Sequence, residues 1–128
     1  MKFVLICTFL LATVGMTAQV DSEAREVDPF VIFVKQDSIF VDQKKVSKNS
    51  LRVDLRRYII RNTSDSKINV KADPKTNVSE VMVLREFIQS TINELKNDYS
   101  RKIFGVMSYK ELSDSNKYEI DKYFPSRF

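Results

Sequence analysis

The chain has 128 residues, 43% apolar and 30% charged, with a formal net charge of +4. That length and apolar share suffice for one domain with its own core, and a charge of +4 falls short of the clustered charge of a dedicated nucleic-acid binder. The absence of histidine, a lone Cys7 and only two glycines exclude a Ser-His-Asp triad, an internal disulfide, a cysteine zinc site and a phosphate-cradling glycine loop.

Lys2 precedes the apolar run Phe3–Val14, and Gly15-Met16-Thr17-Ala18 follows as a small-residue stretch. A basic start, an apolar middle and a small-residue end are the three parts of a secretory signal peptide. Residues 1–18 are therefore expected to be a signal peptide cut after Ala18, or else a short membrane anchor. Phe3–Ala18 is 16 residues, against about 20 for a spanning helix. Either way export is expected, to the periplasm or to a single-span position in the inner membrane with the domain facing the periplasm. Cleavage would leave a chain without cysteine, which suits an oxidising compartment.

Residues 19–29 are polar and acidic without periodicity and read as a tether. Phe30–Val34 and Ile39–Val41 are two apolar runs around the turn-prone Gln36-Asp37-Ser38, a hairpin signal. Ser47 can cap a helix in which Leu51, Leu55, Tyr58 and Ile59 recur at helical spacing, and the loop formers Asn62–Ser66 end it. Ile68–Ala72 alternates like a half-buried strand, stopped by Asp73-Pro74. Asn77 with Glu80 resembles a capping box. It opens a helix of about six to seven turns striped by Val81, Leu84, Ile88, Ile92, Leu95 and Tyr99, widened by Val83, Phe87 and Thr91, and unbroken until Gly105. A short helix is expected from Ser113 to before Pro125, packed through Tyr118, Tyr123 and Phe124. The fold class is α+β: a small sheet, made of a hairpin plus a third strand, packed with a short helix, a long helix and a short C-terminal helix.

Lys48, Arg52 and Arg56 recur every four residues, so they line one helix face. Seven basic residues stand against Asp54 alone between positions 44 and 61. Such a stripe can meet an anionic partner, or it can be a solvated face. The aromatic C-terminal third, with Tyr118, Tyr123 and Phe124, can form a protein-protein surface or pack a short helix onto the sheet. Asp73 reads as turn chemistry. Asn62-Thr63-Ser64 and Asn77-Val78-Ser79 match the glycosylation sequon, and Asn77 is better explained as a cap. No residue pair suggests catalysis, and no cofactor or metal is expected.

The run VIFVKQDSIFVDQKKV, a helix, then INVKADPKTNVSEVMVLREFIQ and further helix resembles the periplasmic domain of the ExbD/TolR family, single-span subunits of proton-driven envelope motors. In that family a hairpin leads to a helix, a strand ending near an Ala-Asp-like pair, and a second helix; Ile68–Asp73 and Val78–Ile88 match that core. Asn93-Glu94-Leu95, Lys102-Ile103-Phe104-Gly105, Tyr109–Ser113 and Asp121–Arg127 are similar to a Bacteroidetes-type branch, and the resemblance covers residues 30–128. It implies a non-enzymatic docking role in biopolymer transport, with ExbB/TolQ-like and TonB/TolA-like proteins or peptidoglycan as partners, homodimerisation, and no nucleic acid. Lys48, Arg52, Arg56, Tyr118, Tyr123 and Phe124 are the candidate contact residues. Family members carry an Asp in the membrane helix that takes part in proton flow. No acid occurs between Met1 and Val20, so that residue has no counterpart here. The alternative is an uncleaved single-span subunit of an ExbB/ExbD-type motor with transmembrane transporter activity.

Overall fold

The computed structural model describes residues 26–128; the leader and most of the tether lie outside the described residues. Strands β1 (Phe30–Lys35), β2 (Ser38–Val41) and β3 (Lys44–Val46) follow one another as antiparallel neighbours. Strand β4 (Ile68–Ala72) lies parallel to β1 on its other side, giving the order β3-β2-β1-β4. A parallel pair needs a crossover, and helix α1 (Lys48–Asn62) lies within it. Helix α2 (Val78–Phe104) follows β4, and α3 (Asp114–Asp121) comes last. The fold is α+β.

Strand β3 corrects the expectation of three strands. It escapes a pattern reading because two of its three residues are lysines and only Val46 is half-buried. The turn before it, Asp42-Gln43, has φ angles of 50° and 66°, and Gln36-Asp37 before β2 has 45° and 61°. Two successive positive φ angles are the geometry of a tight hairpin turn, usually announced by Asn-Gly. Here non-glycine residues adopt it, so the customary signal is missing.

The helix ends follow local chemistry. The Ser47 and Ser113 hydroxyls accept hydrogen bonds from the backbone N–H groups of Ser50 and Asn116, satisfying donors that a helix start otherwise leaves free. The Asn77 side chain accepts the Ser79 N–H at 3.2 Å, so it does cap α2. Glu80 does not close the box. Its carboxylate instead accepts the Asp37 N–H at 3.4 Å, joining α2 to the β1–β2 turn. Asp73 accepts the Lys75 N–H at 2.9 Å, the expected turn chemistry. Helix α2 runs 27 residues, roughly 40 Å, and ends at Gly105, whose φ of 68° is the left-handed cap conformation.

The core lies between the sheet and the helices. Ile32 and Val34 of β1 and Ile68 of β4 meet Leu51, Leu55 and Ile59 of α1 and Leu84, Ile88, Ile92 and Leu95 of α2. Leu112, Ile120 and Phe124 extend this cluster under α3. Of the stripe expected on α2, Val83 is instead 52% exposed.

Candidate partner-binding surface

Two residues of the basic stripe on α1, Arg52 and Arg56, turn towards α2, whereas Lys48 is exposed. The Arg56 guanidinium reaches Glu94 at 3.3 Å and Asp98 at 2.7 Å, clamping α1 to α2. The Arg52 guanidinium lies 5.2 Å from the centre of the Phe87 ring, a cation–π contact. Lys48 lines a groove of about 210 Å³ between the β1–β2 turn and the first turns of α1 and α2, together with Ile39, Val83 and Phe87. Two of the three candidate cations therefore serve helix packing. Arg56→Glu is expected to cost about 2 kcal/mol, since two partly exposed ion pairs of up to ~1 kcal/mol each become repulsions. A urea midpoint unchanged by that substitution would contradict the clamp.

The aromatic candidates separate. Phe124 is 4% exposed and belongs to the core, so it offers no contact surface; this corrects its place among the candidates. Tyr123 stacks on Tyr99 with ring centres 5.3 Å apart and is 41% exposed. Tyr118 projects outward, 65% exposed, which corrects its expected packing role; the Lys122 ammonium lies 4.8 Å from its ring centre.

A polar cluster ties α3 to α2. The Asp121 carboxylate accepts the Tyr109 hydroxyl at 2.8 Å and the Lys96 ammonium at 2.9 Å. Burial, with the hydrogen bond to Asp121 and its charge, pushes the Tyr109 hydroxyl up from 10.0 to about 12. The folded state thus holds a proton that the unfolded chain releases near pH 10. The stabilisation is complete below pH 10 and is lost as pH rises towards 12. Tyr109 is expected to ionise late, near pH 12, in an ultraviolet absorbance titration, and Tyr109→Phe should remove that late step. A titration unaltered by Tyr109→Phe would contradict the assignment.

The surface that the sequence reading missed is the outer face of the sheet. Along β1, Ile32 and Val34 point into the core, while Val31, Phe33 and Lys35 point away from it. Phe33 pairs across the strands with Phe40 and with Lys71, and Phe40 pairs with Lys45. One row across the sheet therefore reads Lys45, Phe40, Phe33, Lys71. The two rings lie 6.5 Å apart, beside a shallow hollow of about 570 Å³ that Val31, Lys35, Asp42 and Gln43 also line. The signal was present: a strand covered on one face alternates apolar and polar residues, but Phe30–Val34 is apolar throughout.

Among the described residues no group of three or more His, Cys, Asp and Glu side chains is placed to hold a metal ion, and no helix is long and apolar enough to cross a membrane. In comparisons with known proteins, no family model matches the chain, and neither a curated protein nor a solved structure matches it.

Proposed function

We propose that the chain is a non-enzymatic, ExbD/TolR-like docking domain of the Gram-negative envelope, working beside a proton-driven biopolymer-transport complex in the periplasm or from the inner membrane. The observation that carries this is the outer face of the sheet, where Phe33 is exposed and Phe40 beside it half-buried, opposite a helix-covered inner face. Exposed apolar side chains ringed by polar ones mark interaction sites. The order of hairpin, helix, strand and long helix also supports it, since the resemblance calls for those elements in that order. The role excludes proton translocation by this chain, because its apolar leader lacks the acid that such coupling needs.

The test is isolation of the full-length chain from cell envelopes in mild detergent, with the companions identified and quantified by mass spectrometry. An ExbB/TolQ-like or TonB/TolA-like protein, or muropeptides, in stoichiometric amount is the expected result. Recovery of the chain alone, or with a stoichiometric cytoplasmic partner, would overturn the reading.

A further inference from the structure

The outer face of the sheet is apolar along its middle and cationic on both edge strands. In the row Lys45, Phe40, Phe33, Lys71, neighbouring strands lie about 4.8 Å apart, so the lysines stand roughly 14 Å apart with both rings between them. Both lysines are exposed, and neither forms an ion pair among the described residues. An extended polypeptide advances about 3.3 Å per residue, so two acids four residues apart span about that distance. The residues between those acids lie over Phe33 and Phe40.

The charge pattern selects among occupants. A second copy of this face would bring Lys35, Lys45 and Lys71 against their own kind, and like charges opposite one another are destabilising. A uniform polyanion or an anionic membrane would meet the Asp42 carboxylate in the same hollow. A short segment with acids only at its two ends avoids both conflicts.

Resting on the docking role above, we propose that this face binds an extended acidic segment of a partner polypeptide. Two carboxylates of that segment, four residues apart, pair with Lys45 and Lys71, and the apolar side chain midway between them, which an extended strand turns to the same side, packs on Phe33 and Phe40. Recognition is thus by charge spacing around an apolar centre.

The test is fluorescence anisotropy of a labelled Gly/Ser-flanked peptide carrying the run Glu-Thr-Phe-Thr-Glu, whose Phe shares a face with both glutamates in an extended strand, titrated with the full-length chain in detergent. Saturable binding is expected, at least tenfold weaker for the Lys45→Glu/Lys71→Glu double variant and for the Phe33→Ser/Phe40→Ser double variant. These side chains point away from the core, and circular dichroism verifies that each variant remains folded. Replacing both peptide glutamates with lysine should abolish binding. Three results would overturn the proposal: no saturable binding, binding indifferent to the lysine reversals, or tighter and reversal-sensitive binding of a thymidine oligomer or phosphatidylglycerol vesicles. The second would reduce Lys45 and Lys71 to guarding the sheet edges. Failure of the peptide with envelope partners still recovered would remove this proposal alone. Absence of those partners would remove the envelope role instead.

Discussion

Replacing Phe124 by Ala is expected to lower stability by about 3–5 kcal/mol, whereas Tyr118→Ala should change it by no more than ~0.5 kcal/mol. The two aromatics are six residues apart and were equal candidates for partner contact, yet their surroundings differ. Phe124 is 4% exposed, meets Tyr99 edge-on with ring centres 5.3 Å apart, and lies 5.7 Å from the Lys96 ammonium. Removing the ring leaves a cavity beside Leu112 and Ile120 and loosens the hold of α3 on α2. Tyr118, 65% exposed, has little packing to lose. Urea unfolding of both variants measures this, with near-ultraviolet circular dichroism following the tyrosines. Equal midpoints for the two would contradict the packing of α3.

Leu95→Ala is the second large effect, at about 2–5 kcal/mol. Leu95 lies two-thirds of the way along α2 and is 1% exposed. It belongs to the same buried cluster as Ile32 of β1, Leu51 of α1 and Ile120 of α3. A cavity there weakens the contact of the long helix with that cluster. For a domain of roughly 100 residues, a loss of even 2 kcal/mol lowers Tm by about 8–16 °C. A thermal melt shifted by less than ~2 °C would contradict the burial of this stripe. Phe33→Ala, on the outer face, serves as the contrast, since it removes no core contact.

The difference between what the sequence disclosed and what it hid follows from how each feature is encoded. Helix α2 was legible because its stripe, Val81 to Tyr99, repeats over about five turns and Asn77 and Gly105 punctuate its ends, all of it local information. Asp73 and Ser113 were legible for the same reason, since each acts on backbone two or three residues away. Strand β3 was not, because Lys44 and Lys45 become strand residues only by pairing with Val41 and Phe40. Arg56 looked like part of an anionic contact because its partners Glu94 and Asp98 lie about forty positions away; spacing along one helix cannot show which neighbour that helix will meet. Phe33 was a different omission. Its exposure was implied by an unbroken apolar strand in a fold with few helices to cover two faces, and pairing it with Lys71 required knowing that β4 lies parallel to β1.

Arg52, Arg56 and Phe124 are therefore internal supports, and the outer sheet face is the surface proposed for partner contact. The most direct test of that claim places a photo-crosslinking amino acid at position 33, 53 or 118 of the full-length chain in living cells. Phe33 lies on the outer sheet face, while Val53 and Tyr118 are exposed on α1 and α3. A discrete adduct with an envelope protein is expected from position 33 and none from 53 or 118. Adducts from 53 or 118 with none from 33 would contradict it.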